Sequence, residues 1–243
     1  MIRFLGVSFS YRPDRPREAV LAGVDLALPA GLTLVVGPNG CGKSTLLRLA
    51  AGVEPPDDGR IEVDGHDLWT AEVAARAGLA FVPEQPDLTP YATVAEILDL
   101  VCALRGEPPD SAAQALAAVG LDGLAKRSVR ELSLGQRRKA MLAAARIGDP
   151  GNLLLDEPLE SLDRAARAGT LAWIESRHAA GALVLVAAHD VEPFAAAAAR
   201  ALTVRDGRCL LVDPLPGDLA ARDRLLERLA GGETPPDVFR LPR

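Results

Sequence analysis

A glycine-rich stretch with a single lysine has the spacing of a phosphate-binding loop. The stretch reads G-x-x-x-x-G-K-S-T and consists of Gly37, Pro38, Asn39, Gly40, Cys41, Gly42, Lys43, Ser44 and Thr45. Apolar residues 32–36 before it favour a buried strand, and residues 45–51 favour a helix. In such a unit the glycines let backbone N–H groups point inward at an anion, and the helix N-terminus adds partial positive charge. We therefore predict a nucleoside triphosphate site, in which Lys43 reaches the outer phosphates and Ser44 ligates Mg²⁺.

The use of lysine supports this prediction. Only three of the 27 basic residues are lysine, namely Lys43, Lys126 and Lys139. A lysine ammonium is a compact charge that fits inside a ring of amides, whereas a planar guanidinium does not. A chain that otherwise prefers arginine thus has lysine where a phosphate loop needs it.

Two carboxylates follow a second apolar run. Residues 153–155 are leucine, and Asp156 and Glu157 come directly after them. Ligands of open α/β sheets bind at the carboxyl ends of the strands, so this pair is expected beside the phosphate loop. Asp156 is predicted to hold the metal, and Glu157 to polarise the water that attacks the γ-phosphate.

Composition limits the alternatives. The chain has 243 residues, 49% of them hydrophobic, with a formal net charge of −6. That charge and the lack of a basic block argue against nucleic acid as a partner. The three cysteines are scattered, so we expect neither a disulfide framework nor a zinc site. The N-terminus does not resemble a signal segment, and no apolar run approaches the ~20 residues of a membrane span. We therefore expect a cytosolic or peripheral protein, for which another polypeptide would supply any membrane part.

The pattern along the chain predicts an α/β fold built on a P-loop NTPase core. Alternation in residues 1–30 and 59–65 favours an N-terminal antiparallel β subdomain, with a polar insert at 12–17. Short apolar runs separated by helical patterns favour a mostly parallel, helix-covered sheet; they are residues 79–82, 152–156 and 182–188. Helical periodicity between 86 and 149 favours a helical subdomain. The remaining predictions are a hairpin at 204–212, a small-residue helix face at 195–199, and a C-terminal helix at 218–229.

Five residues between the phosphate loop and the acidic strand resemble a family signature. Leu132-Ser133-Leu134-Gly135-Gln136 is similar to the Leu-Ser-Gly-Gly-Gln motif of the ATPase subunits of ATP-binding cassette (ABC) transporters. Further matches occur in the order expected for that family and cover residues 1 to about 210; they are Tyr11, Gln85, Ser161-Leu162-Asp163 and His189. The ordered motifs together make the resemblance highly specific.

The resemblance implies roles for these residues. Tyr11 would stack on adenine, and Gln85 would sense both Mg²⁺ and a membrane partner. His189 would be the switch histidine at the γ-phosphate, acting with Glu157 and Lys43 in catalysis. Ser133, Gly135, Gln136 and Asp163 would contact nucleotide, with the signature turned away from its own phosphate loop so that it closes the site of a second subunit.

The resemblance also implies an overall function. The chain would be one ABC ATPase domain over residues 1–243, with a nucleotide core at 1–85 and 150–210, a signature lobe at 86–149 and a C-terminal helix and tail at 211–243. Two subunits, expected to be a homodimer, would close around ATP and Mg²⁺ and drive a separate integral-membrane subunit from the inner face of the membrane. The short helical lobe and the 83–86 loop look more like exporter than importer subunits.

One departure keeps alternatives open. Leu134 replaces the first signature glycine and places a bulky side chain where the backbone should approach phosphate. The alternatives are a soluble ABC ATPase without a transport role and a weakly catalytic ATP-binding half of an asymmetric dimer.

Overall fold

Two β-sheets form the framework of the chain. The computed structural model describes residues 1–12, 19–86 and 88–233. The strands are β1 (Ile2–Phe9), β2 (Leu21–Leu28), β3 (Gly31–Val36), β4 (Asp58–Val63), β5 (His66–Asp67), β6 (Leu79–Val82), β7 (Asn152–Asp156), β8 (Leu183–Ala187), β9 (Arg200–Arg205) and β10 (Arg208–Val212). Their positions confirm the strands predicted from the apolar runs.

The larger sheet is the centre of the fold. Its strand order is β10-β9-β3-β8-β7-β6, and only the β9–β10 hairpin is antiparallel. Its strands are apolar on both faces because each face is covered: Leu34 packs into one hydrophobic cluster and its neighbour Val35 into the other. This sheet confirms the predicted parallel core.

The smaller sheet confirms the predicted antiparallel subdomain. Its order is β2-β1-β4-β5, with Phe4 paired to Leu26 across β1 and β2. Inward-facing residues alternate with exposed ones along β2, and the buried set joins the cluster that contains Leu46. The small sheet is thereby fixed against the segment that follows the phosphate loop.

Eight α-helices connect and cover the sheets within the described residues. They are α1 (Lys43–Ala50), α2 (Glu72–Arg76), α3 (Val94–Arg105), α4 (Asp110–Ala118), α5 (Leu134–Arg146), α6 (Arg164–Ala179), α7 (Glu192–Ala195) and α8 (Leu219–Ala230). Helices α3, α4 and α5 share a hydrophobic cluster of their own, which includes Leu98, Leu116 and Ala143. The fold thus includes the helical subdomain that the sequence predicts.

One helical prediction was wrong. The alanine run at 195–199 favoured a helix face, but α7 ends at Ala195. The chain then turns into β9, and the Ala199 N–H donates to the Leu32 carbonyl oxygen at 2.9 Å. Pairing with the central sheet outweighs the high helix propensity of alanine here.

Two segments named in the sequence analysis lie wholly or largely outside the described residues, namely most of the polar insert at 12–17 and the tail after 233. Among the residues that the structure does describe, no helix has the length and hydropathy required to cross a membrane.

Candidate functional site

The loop between β3 and α1 has the backbone shape that its glycines predict. Gly37, Gly40 and Gly42 have φ angles of 146°, 76° and 112°, which side-chain-bearing residues rarely adopt. Space is also short, because a Cβ at Gly42 would lie 2.8 Å from a methyl carbon of Val20. The loop therefore needs glycine for both conformation and packing.

Lys43 is folded back over this loop. The residue is 8% exposed, and Nζ donates hydrogen bonds to the carbonyl oxygens of Gly37 at 2.8 Å and Pro38 at 3.2 Å. These partners are neutral, so they orient the ammonium without cancelling its charge. The charge remains available to an anion in the loop.

Asp156 is the last residue of β7 and is 3% exposed. Burial raises the pKa of its carboxyl group, and the nearby negative charge of Glu84 raises it further. A hydrogen bond from the Ser44 hydroxyl and the charge of Lys43 oppose this rise in pKa. Strands β3 and β7 lie parallel on either side of β8, and this arrangement brings Asp156, the predicted metal ligand, close to the phosphate loop.

Glu157 turns out of the strand in a left-handed conformation with a φ of 48°. Its N–H donates to the Ala187 carbonyl oxygen at 2.8 Å, and its side chain is 14% exposed. Burial raises the pKa of Glu157, with a further rise from Asp156, while His189 counters the shift. His189 Nε2 lies 3.7 Å from Glu157 Oε1, so the predicted switch histidine and the predicted general base are neighbours.

One cavity of about 440 Å³ unites these groups. Its lining consists of Tyr11, Val20, Asn39, Gly40, Gly42, Lys43, Ser44, Thr45, Glu84, Asp156, Glu157 and His189. At one end the Tyr11 hydroxyl lies 3.2 Å from Thr45 Oγ1, and its ring packs edge-on against Phe9 with centroids 4.9 Å apart. The Tyr11 residue is 56% exposed, which leaves ring surface available to a flat base. We call this the nucleotide cavity.

Sequence reasoning named Gln85 for this site, whereas Glu84 is the residue that lines the nucleotide cavity. Gln85 lines a neighbouring cavity of about 660 Å³, which shares Ser44, Glu84 and Asp156 with the first. Glu84 could have been found from the sequence, since it closely follows β6, the parallel neighbour of β7. Residues that follow adjacent parallel strands reach the same edge of a sheet.

The signature residues lie elsewhere in this chain. Ser133 Oγ accepts the Gln136 N–H at 3.2 Å, and Gln136 Oε1 accepts the Ser133 N–H at 2.9 Å, which forms a capping box at the start of α5. With Ser133 as its N-cap, α5 begins at Leu134. Leu134 itself is 56% exposed.

Two further contacts tie the signature to the loop before α6. Gly135 approaches this loop so closely that a Cβ would lie 2.5 Å from the Ser161 carbonyl oxygen. Asp163 accepts the Ala166 N–H at 2.8 Å and pairs with Lys139 at 2.7 Å. None of Ser133, Gly135, Gln136 and Asp163 lines the nucleotide cavity of its own chain.

The donor atoms beside the phosphate loop suit Mg²⁺. The Ser44 hydroxyl and the Asp156 carboxylate are adjacent hard oxygen ligands, and a cation would relieve the unfavourable burial of the ionised carboxylate. Over residues 1–12, 19–86 and 88–233, no group of three or more His, Cys, Asp or Glu side chains could hold a metal. Mg²⁺ usually takes few protein ligands and completes its shell with phosphate oxygens and water.

The fold and the phosphate loop define a P-loop nucleotide-binding protein. A family model described as ABC transporter matches residues 21–160. The chain belongs to the ABC transporter family, as an ATP-binding subunit.

Two relatives illustrate the similarity. An Fe(3+) ions import ATP-binding protein of Mesorhizobium japonicum is 38% identical over 88% of this chain and 61% of its own length. The chain thus spans about three fifths of that relative. A cytochrome c biogenesis ATP-binding export protein of Cupriavidus necator is 36% identical over 78% of this chain and 83% of its own length.

A solved structure has the same fold. It is a dimeric ATP-binding cassette in a post-hydrolysis state, bound to ADP and phosphate. Its TM-score is 0.76 at 23% identity, with 86% of this chain and 96% of that chain covered.

Proposed function

We propose that this chain hydrolyses ATP with Mg²⁺ and that two copies close around the nucleotide to drive a separate integral-membrane subunit. The observation that carries the proposal is the nucleotide cavity, in which the Lys43 ammonium, the Ser44–Asp156 pair and the Glu157 carboxylate meet. The relatives named above are ATP-binding proteins of import and export systems, which is consistent with this function.

ATP would bind with its triphosphate over the phosphate loop and its base towards Tyr11. Lys43 would exchange its bonds to loop carbonyls for bonds to the β- and γ-phosphates, assisted by the backbone N–H groups of the glycine-rich loop. Ser44 and Asp156 would hold Mg²⁺, which when bound neutralises charge on the phosphate oxygens. Gln85, which lines the adjoining cavity, would contact Mg²⁺ or its water ligands from that side.

Glu157 would act as the general base. Its oxygen accepts a proton from water as the water oxygen attacks the γ-phosphorus. The bond to the bridging β–γ oxygen then breaks and yields ADP and phosphate. Burial raises the pKa of Glu157, which makes it a stronger base than an exposed glutamate. His189, 3.7 Å from Glu157, would donate a hydrogen bond to the γ-phosphate and align the water.

The second subunit would supply the missing side of the site. Ser133, Gly135, Gln136 and Asp163 lie away from the nucleotide cavity of their own chain, so they would meet ATP only in a head-to-tail homodimer with two-fold symmetry. The membrane subunit would dock near the 660 Å³ cavity, where Val53 is 47% exposed and Phe81 lines the wall beside Gln85. This docking would place the chain at the cytoplasmic face of a membrane.

The test uses Glu157→Gln, with Glu192→Gln as a matched control at the exposed first residue of α7. Removing the base should lower turnover on the order of 10²–10⁴-fold while ATP and Mg²⁺ still produce a dimer in light scattering. The control should hydrolyse ATP like the wild type. Normal turnover in Glu157→Gln would refute the assignment.

Two measurements separate the alternatives. A wild-type chain that binds ATP without turnover would be the weakly catalytic half of an asymmetric dimer, which the exposed Leu134 would favour. Co-purification in detergent distinguishes a transporter subunit, which retains an integral-membrane protein, from a soluble ABC ATPase.

A further inference from the structure

Arg138 is a buried arginine whose side chain extends from the helical subdomain to the edge of the central sheet. It lies on α5, the helix that begins at the signature, and only 2% of its surface is exposed. Burial lowers the pKa of its guanidinium group. Such a burial is unfavourable unless the charge has good partners, and an apolar residue of similar size often packs as stably.

The partners of Arg138 are backbone carbonyl oxygens of the nucleotide site. Nη1 donates to Pro83 at 2.5 Å and to Asp156 at 3.4 Å, and Nη2 donates to Glu84. The acidic side chain paired with it, Glu160, is 4.0 Å away and 56% exposed. One guanidinium therefore bridges the segments after β6 and at the end of β7, which carry Glu84 and Asp156 into the nucleotide cavity.

The bond to Asp156 restrains the peptide group that precedes Glu157. Arg138 binds the carbonyl oxygen of this peptide, and the N–H of the same peptide donates to Ala187 at 2.8 Å. The peptide is held from both sides, and the left-handed turn of Glu157 begins there. Arg138 thus bears on the direction in which the general base points.

We propose that Arg138 is a positioning residue that couples the orientation of the signature helix to Glu84, Asp156 and Glu157. Ser133 caps the helix that carries Arg138 and precedes it by five residues, or about 7.5 Å along the helix axis. A tilt of α5 that moves Ser133 towards a partner's nucleotide also shifts the guanidinium and, through it, both acidic segments. This inference rests on the proposed ATPase function.

Arg137 offers a matched control on the same helix. Its guanidinium also binds backbone carbonyls, with Nε 3.2 Å from Val129 O and Nη2 3.4 Å from Arg130 O. Both acceptors belong to the helical subdomain, so Arg137 does not link it to the nucleotide site.

Hydrogen–deuterium exchange of the nucleotide-free full chain tests the linkage without relying on activity. In Arg138→Met, amides in segments 83–86 and 156–160 should exchange at least about fivefold faster, while those in 127–132 stay unchanged. Arg137→Met should give the opposite pattern. Unchanged exchange at 83–86 and 156–160 in Arg138→Met would overturn the proposal.

Steady-state kinetics tests the consequence for catalysis. Arg138→Met should lower kcat at least about tenfold and change KM for ATP by less than about threefold, because the phosphate loop is untouched. Arg138→Lys, which keeps the charge but lacks the fork, should be intermediate, and Arg137→Met should stay within about twofold of wild type. A normal kcat in Arg138→Met, or an equal loss in both methionine variants, would refute the coupling. If Arg138→Met does not fold, both measurements are made on Arg138→Lys. If the wild type has no turnover, the ATPase proposal fails, and the exchange experiment still tests the linkage.

Discussion

Replacing Gly135 by alanine tests the close contact between the signature and the loop before α6. The added Cβ would lie 2.5 Å from the Ser161 carbonyl oxygen, whereas ordinary contact begins at 3.4 Å, so the two segments must separate by about 0.9 Å. Ser161 cannot yield easily, because it is in a left-handed turn with a φ of 59°. The Lys139–Asp163 pair ties the same two segments together at 2.7 Å.

The expected loss of stability follows from two opposing effects. Overpacking of this kind destabilises a protein by about 1–3 kcal/mol, and the better helix propensity of alanine recovers up to about 1 kcal/mol. The net loss of about 1–2 kcal/mol should lower Tm by about 2–8 °C in a chain of this size. Because Gly135 lies outside the nucleotide cavity, affinity for ADP should stay within about twofold, while displacement of the signature should lower ATPase turnover about tenfold or more.

Differential scanning calorimetry with Gly169→Ala as the control gives a sharp comparison. Gly169 is an exposed residue of α6 with nothing within 4 Å of a Cβ, so alanine there should stabilise the chain by about 0.5–1 kcal/mol. The two substitutions should therefore shift Tm in opposite directions. A rise in Tm for Gly135→Ala, or a large loss of ADP affinity, would refute this account of the contact.

Two further predictions concern the acidic groups of the nucleotide cavity. Asp156→Asn should raise Tm of the nucleotide-free protein by a few degrees and abolish its stabilisation by Mg²⁺-ATP, as followed by thermal melts. Since the folded-state pKa of Asp156 lies above its unfolded value, the ionised carboxylate destabilises the fold above the folded-state pKa. The gain in Tm from Asn should therefore shrink as pH falls through that pKa. A difference in Tm that does not depend on pH would contradict this reasoning. Glu84→Gln should tighten Mg²⁺-free ATP binding roughly threefold to tenfold in calorimetry at low salt, because a like charge leaves the cavity. The gain should decline in 1 M salt, and a weaker affinity in the variant would contradict the placement of Glu84.

The fold could be predicted from the sequence where local patterns and tertiary packing agree. Central strands such as β7 and β8 are short apolar runs buried along their whole length, as expected for strands of a covered parallel sheet. The alanine run at 195–199 was mistaken because its helix propensity conflicts with sheet pairing, and pairing with β3 is a long-range interaction that no local window contains.

The nucleotide site shows a similar division. The phosphate loop and Asp156 were identifiable, because their chemistry depends on contiguous residues. Glu84 was not predicted, and Gln85, which was predicted, lines the adjoining cavity; which residue after β6 faces which cavity depends on long-range packing that no local window contains. The contacts of Arg138 could not be foreseen either, because they join residues 54, 55 and 18 positions apart in the sequence.

The fold-back of Lys43 onto its own loop has a consequence for nucleotide entry. With Nζ bonded to Gly37 and Pro38, the ring of amides is kept open before any ligand arrives, so its ordering entropy is lost during folding rather than during binding. An incoming anion competes with two neutral acceptors for the hydrogen bonds of the ammonium. Inorganic phosphate makes few contacts in that exchange, whereas a triphosphate makes several at once. The loop can thereby favour ATP over inorganic phosphate.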